Sequence, residues 1–257
     1  MTRRPRRLRL PLLLLCAALP LSGPAGAASD FGVNGLVNVP DARMAPDATL
    51  RTSYARQSVV DIFALGYQAT PWLQTTFRYS IFNPRAESGS RDEQRDRSFE
   101  FKARLLREGE VVPQLAVGIR DIVGTGVWGA EYVVASKQLG PLDLSLGLGW
   151  GRLAERRVAE NPLARIDERF EARDADVGLG GEFSFSNFFA GEDVGAFGGV
   201  RWTLPRLGAS LLAEYDSDAL SREAALGSID DPSPWSFGLE FEPARDVQVG
   251  LSWQHGE

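Results

Sequence analysis

Large apolar residues recur at every second position along most of the chain after residue 48. The stretch LDLSLGLGWG, residues 142–151, is the clearest case. Leu142, Leu144, Leu146, Leu148 and Trp150 alternate there with Asp143, Ser145, Gly147, Gly149 and Gly151. A period of two puts successive side chains on opposite faces of a strand, so this stretch has one apolar face and one small or polar face.

The same pattern predicts further strands. Phe63, Leu65, Tyr67 and Ala69 share a face, and Leu73, Phe77, Tyr79 and Ile81 oppose Gln74, Thr76, Arg78 and Ser80. Phe99, Phe101, Ala103 and Leu105 oppose Glu100, Lys102 and Arg104, and Leu115, Val117 and Ile119 oppose Arg120. Trp128, Tyr132 and Val134 are read on one face, with Glu131 and Lys137 on the other. Phe183 and Phe185 oppose Glu182, Val200 and Trp202 oppose Arg201, and Leu211 opposes Glu214 less cleanly. Trp235, Phe237, Leu239 and Phe241 oppose Glu240, and Val247, Val249, Leu251 and Trp253 oppose Gln248, Gly250 and Ser252. That makes roughly twelve strands of about 8 to 11 residues, separated by turn signals.

Two all-β architectures accept such alternation. A soluble sandwich turns the apolar face inward, and a transmembrane barrel turns it toward lipid. Three features favour lipid. The apolar face is aromatic, with Trp72, Trp128, Trp150, Trp202, Trp235 and Trp253 near strand ends, as in interfacial girdles. The polar face is rich in Gly and Ser, which leave room in a concave lumen for long side chains. Short turns at 68–71, 107–110 and 140–141 contrast with long charged loops at 83–97 and 152–175, which strand counting puts on one side. The long segment 217–233 falls on the short-turn side by the same count and breaks the rule. The expectation is an antiparallel up-and-down transmembrane β-barrel of about 10–12 strands.

The amino terminus changes the picture of where this happens. Arg3, Arg4, Arg6, Arg7 and Arg9 precede the apolar run 11–21, and small residues follow at 23–29. This is the pattern of a secretory signal peptide over residues 1–28, too short to span a membrane as a helix. An irregular segment over 29–48, punctuated by Gly35, Pro40 and Pro46, then leads into a barrel domain over 49–257 and is expected to cap its periplasmic mouth. Cys16 lies in the apolar run behind Leu15, where a lipidation signal would need a small residue. Loss of the leader takes the single cysteine with it and lowers Lys+Arg from 28 to 23 against 34 Asp+Glu, a balance of about −11. So acidic an exported chain is a poor partner for nucleic acid, and it lacks thiol chemistry.

Candidate chemistry is sparse. His255 is the one histidine, at the tail, and no Ser–His–carboxylate constellation forms around it in sequence. No enzyme activity, metal or cofactor is expected. Charged residues on the predicted polar face form the candidate lumen lining: Glu100, Lys102, Arg104, Arg120, Glu131, Lys137, Glu182, Arg201, Glu214 and Glu240. They suit a salt-bridge network filling a narrow interior. They equally suit a conduit exchanging hydrogen bonds with sugar hydroxyls.

Several blocks resemble a known family. Gly35, Leu36 and Val37 followed by Pro40, then 42–47, Leu50 and Arg51, are similar to the amino-terminal signature of the YjbH-like exopolysaccharide-biosynthesis outer-membrane proteins. Residues 121–126, 131–137 and 146–151 resemble its central block, with 199–202 and 213–216 in its style. The resemblance implies an outer-membrane barrel that assists secretion or assembly of an exopolysaccharide or capsule, and it supplies no catalytic residues. Its implied partners are the exopolysaccharide, outer-membrane lipid and other polysaccharide-export proteins. The alternatives are a soluble periplasmic glycan-binding β-sandwich and a barrel hydrolase. Members are typically much longer, so the chain is similar to their amino-terminal barrel portion.

Overall fold

A computed structural model describes residues 16–17, 27–57, 60–82, 94–123, 126, 128–173, 188–225 and 232–256. The strands are β1 (Cys16–Ala17), β2 (Leu50–Gln57), β3 (Val60–Thr70), β4 (Leu73–Phe82), β5 (Gln94–Leu106), β6 (Gln114–Arg120) and β7 (Ala130–Leu139). They continue as β8 (Leu142–Gly149), β9 (Arg157–Glu160), β10 (Asp193–Leu204), β11 (Ala209–Tyr215), β12 (Trp235–Ala244) and β13 (Val247–Trp253), with one short α-helix among the described residues, α1 (Ser221–Ala225), and a few single 3-10 turns.

Twelve strands form one antiparallel sheet in the order β1-β13-β12-β11-β10-β8-β7-β6-β5-β4-β3-β2, and β9 pairs with β10 off this path. The sheet is a meander whose path is open, ending at β1 and β2. β1 lies in the segment read as a leader and pairs Cys16 with Gln248 and Ala17 with Val247.

The alternation produces the faces it predicts on most strands. In β3, Ile62, Ala64, Gly66 and Gln68 are buried while Phe63, Leu65 and Tyr67 are exposed. In β8, Ser145, Gly147 and Gly149 are buried and Leu144, Leu146 and Leu148 are exposed, with Leu146 at 69 %. The buried face of β4 and β5 carries Gln74, Thr76, Arg78, Ser80, Ser98, Glu100 and Lys102. The ordinary arrangement is therefore reversed: polar groups are inside, and leucine and aromatic side chains are outside.

Two tryptophans depart from the expected girdle. Trp128 is buried, edge-on to Phe31 at 5.1 Å and stacked on Phe82 at 5.5 Å. Trp150 follows β8 and is buried, edge-on to Phe189, its Nε1 donating to Asn161 Oδ1 at 3.0 Å. Trp72, Trp202, Trp235 and Trp253 are exposed as expected.

Strand β7 is also inverted relative to its reading. Tyr132, Val134 and Ser136 face inward, opposite Gly118, Ala116 and Gln114 of β6 and Gly149, Gly147 and Ser145 of β8. Glu131 and Lys137 have the outward parity. Register explains this: the ring of Tyr132 occupies the space over Gly118, where a Cβ would lie 2.1 Å from it. Gly118→Val is expected to cost at least about 1–3 kcal/mol by overpacking, read as a lowered midpoint of urea unfolding. An unchanged midpoint would show that Tyr132 can vacate the site.

The expected strand around Phe183 and Phe185 lies outside the described residues. β8 pairs directly with β10, and β10's other edge is taken by β11. Along the path of described strands, the ends of β11 and β12 that the 216–234 connection joins lie at the same end of the sheet as the end of β4, the start of β5, the end of β8 and the start of β10. Short turns, including Gly140 at φ +61°, hold the opposite end. The exception to the loop rule disappears.

Candidate functional site

The inner face is not empty. Residues 27–49 run inside the curled sheet from the long-loop end, where Phe31 meets Trp128, to the short-turn end, where Arg43 meets Glu108. Phe31, Val33, Leu36, Val37, Val39 and Ala42 are all nearly inaccessible to solvent. Leu36, Val37, Val39 and Ala42 share a core with Ala116, Tyr132, Val134, Leu153, Phe197 and Leu212. The segment was expected to cap a mouth; it fills the interior along its depth. Gly and Pro punctuation keeps it from forming a long strand or helix; turns within it pair some backbone groups, such as Asp30 N with the Val37 carbonyl at 2.8 Å and Leu36 N with the Val39 carbonyl at 2.9 Å, and the others need partners from the wall.

Wall side chains supply them. Glu214 accepts from the backbone nitrogens of Val37 (2.8 Å), Asn38 (2.9 Å) and Val39 (3.1 Å). Lys102 donates through Nζ to the carbonyls of Asn34 (3.0 Å) and Asp41 (3.1 Å), and its charge meets the Asp41 carboxylate at 3.5 Å. Arg201 donates to the Gly35 carbonyl at 2.7 Å, Arg51 to Asn34 Oδ1 at 2.9 Å, and Ser136 Oγ accepts from Ala42 N at 2.8 Å. Gln68 Oε1 accepts from Ala45 N at 3.0 Å, and Gln114 donates to the Ala42 carbonyl. At the other end, Gln57 reaches Asn38 Oδ1 and Gln254 reaches Asp30 Oδ2, both at 2.7 Å. Each wall group thus satisfies a buried backbone or side-chain partner that would otherwise carry a desolvation penalty.

A second network belongs to the wall itself. Glu100 accepts from Tyr132 Oη at 2.8 Å and from Arg120 Nε at 3.2 Å, with Arg78 Nη1 at 3.5 Å. Both guanidiniums also cover the Phe31 ring, at 4.9 Å and 4.4 Å from its centroid. The anionic centre, its cations and the ring of the inner segment are mutually held.

The structure divides the ten predicted charges. Glu100, Lys102, Arg120, Arg201, Glu214 and Glu240 face inward, with Arg201 ion-paired to Glu240. Arg104 stands at the short-turn mouth. Glu131, though buried, lies on the outer parity of β7, where Arg173 and the Phe189 backbone nitrogen hold its carboxylate. Lys137 pairs with Glu108 at 3.1 Å. Glu182 lies outside the described residues. The tail histidine, His255, meets Asn38 and the Ser233 carbonyl rather than a nucleophile.

Several wall residues escaped the sequence selection. Gln74, Arg78 and Asp143 sit on predicted polar faces, so alternation alone could have found them. Gln114 shares the inward parity of Arg120 on β6 and carries the same signal, whereas Arg51 lies on β2, where the alternation is weak. Asp143 holds Arg43 by two hydrogen bonds, of 2.8 Å and 2.7 Å.

Arg43 also bonds Glu108. Burial works to raise the Glu108 carboxyl, but Arg43, the Gln138 backbone nitrogen and Lys137 outweigh it and bring it down to about 2. A depressed folded value means stability present above the unfolded value of 4.5 and lost as pH falls from there through about 2. The stability difference between wild type and Glu108→Gln should therefore shrink over that window, followed by urea midpoints against pH. A difference independent of pH would remove Glu108 as the tether.

The fold and its interior define a class: an all-β protein whose single sheet exposes an apolar face and buries a polar one around its own amino-terminal segment. The chain belongs to the family described as "Exopolysaccharide biosynthesis protein YbjH", which matches residues 27–257. It is 35 % identical over 255 residues to the "Uncharacterized lipoprotein YjbH" of Escherichia coli (strain K12), covering 97 % of this chain. The chain spans 36 % of that relative's length. No solved structure matches it. No helix among the described residues is long and apolar enough to cross a membrane, which leaves crossing by strands open.

Proposed function

We propose that this chain is a barrel-forming portion of an outer-membrane protein that assists secretion or assembly of an exopolysaccharide, guiding glycan by non-covalent contacts. One observation carries the reading. Leu65, Phe99, Leu146, Leu211, Leu239 and Leu251 are exposed on one face of the sheet, while Arg78, Glu100, Lys102 and Glu214 are buried on the other. A continuous exposed apolar face of this kind is costly in water and favourable in lipid. The family's description supplies the exopolysaccharide, and the relative's name as a lipoprotein supports a place in the envelope.

In this reading the wall charges hold the inner segment, and glycan passage through the interior requires that segment to leave. Its tethers are hydrogen bonds and ion pairs, which can be exchanged for sugar hydroxyls without making or breaking a covalent bond. The soluble sandwich reading needs its apolar residues between two sheets, whereas the described strands of the path form one sheet with those residues outside. The hydrolase reading finds no support in the surroundings of His255.

The test is membrane fractionation followed by electrophoresis of boiled and unboiled samples. An outer-membrane band whose unboiled mobility differs is expected from a closed barrel. A soluble band indifferent to heating would sink the proposal.

A further inference from the structure

The short-turn mouth contains cations that the interior network does not use. A cleft of about 490 Å³ opens there, lined among others by Arg43, Asp47, Pro71, Arg104, Arg107 and Glu108. Arg43 is committed to Asp143 and Glu108. Glu108 is shared in turn between Arg43 and Lys137, and Asp47 accepts from the Ala48 backbone nitrogen at 3.1 Å. Arg104 and Arg107 form no ion pair among the described residues and stand three positions apart on the same cleft. Two guanidiniums on one cleft repel, and an anion reaching both would satisfy them. The volume falls in the range of small-ligand sites and accommodates a sugar unit or two.

We infer that this cleft is a binding site for the anionic group of an acidic saccharide, with Arg104 and Arg107 as its forked donors. The inference rests on the exopolysaccharide reading for the kind of ligand, and on the cleft for its charge. Planar guanidinium groups bind carboxylates and phosphates through paired N–H donors, a match that a neutral sugar cannot make. The rest of the chain makes the position selective. The chain as a whole is acidic, with a formal net charge of −6, so its overall field repels an anion while these two arginines attract one. The end of the inner segment, residues 43–47, also lines the cleft, so an acidic unit bound there lies beside the element that fills the interior.

The test uses the full chain in detergent micelles and titrates three probes by tryptophan fluorescence: a tetrameric oligoglucuronate, a neutral cellotetraose, and vesicles containing phosphatidylglycerol. The oligoglucuronate is expected to bind, the neutral tetraose to bind at least about ten-fold more weakly, and the paired variant Arg104→Gln with Arg107→Gln to lose at least about ten-fold in oligoglucuronate affinity. Rising salt should weaken binding to wild type more than to the variant. Equal binding of acidic and neutral sugars, or full retention by the variant, would overturn the site. So would the absence of oligoglucuronate binding at millimolar probe. Vesicle binding that depends on the two arginines, without oligoglucuronate binding, would assign the site to a lipid headgroup and also overturn it. Heat-modifiability of the same samples keeps the variant's fold in view and reads the barrel proposal separately: a heat-modifiable band without acidic-sugar binding fails this inference alone.

Discussion

Glu214→Ala is expected to loosen the inner segment and destabilise the chain by about 3–5 kcal/mol. The carboxylate accepts from three consecutive backbone nitrogens, those of Val37, Asn38 and Val39, all within 3.1 Å. Alanine leaves these donors buried without an acceptor, at about 1–3 kcal/mol for each unsatisfied group before water enters the space. The lower end of the summed cost is the realistic one, because the truncated side chain leaves room for water. Glu214→Gln keeps one acceptor oxygen and should fall between wild type and alanine. Two measurements check this: the urea midpoint of the reconstituted protein, and the rate of proteolytic cleavage within residues 29–47. Cleavage should accelerate in the order wild type, glutamine, alanine. Unchanged cleavage in the alanine variant would show that the apolar contacts of Leu36, Val37 and Val39 hold the segment by themselves.

Leu146→Arg tests the outer face. Leu146 is among the most exposed large apolar residues of the sheet, at 69 %, with Leu144 and Leu148 exposed on the same face of β8. In a bilayer an arginine near the midplane of a barrel costs about 2–4 kcal/mol, and less toward the interfaces. In water the same exchange on an exposed face costs within about 0.5 kcal/mol. The variant is expected to lose that larger amount in lipid vesicles, and with it the heat-modifiable band. A matched exchange at exposed Val111, in the β5–β6 turn, should be nearly silent. Equal and small effects at both positions would return the leucine face to water and remove the membrane reading.

The two variants probe opposite sides of one reversal. Apolar contacts and polar satisfaction normally divide a protein into inside and outside. Here the wall's inward charges are affordable because each has a partner: Glu214 in a row of amides, Lys102 in two carbonyls and Asp41, Glu100 between two arginines and a tyrosine. Breaking one member strands the others in a low-dielectric interior, which is why single changes there are expected to cost several kcal/mol.

What the sequence settled by itself follows from local periodicity. The two-residue repeat assigned β3, β4, β5, β8 and β12 to an all-β fold and sorted their side chains into two faces, including the polar positions Arg78, Glu100, Lys102 and Glu240. It did so because side-chain direction in a strand depends on neighbouring residues alone. The family blocks at 35–51 and 121–151 were readable for the same reason, as short runs in order. The tertiary structure decided whatever depends on distant partners. Tyr132 and Val134 turn inward because Gly118 and Gly147–Gly149 lie beside them, a matter of register that a single strand does not encode. Trp128 is buried because Phe31, nearly a hundred residues earlier, comes to meet it. Residues 27–49 lack a period, so nothing local distinguished a cap from a filling. Their place inside is set by Glu214, Lys102, Arg201 and Ser136, contributed by four strands that all lie far along the chain from the segment, whose side chains converge on the amides and carbonyls that the segment's own turns leave unpaired.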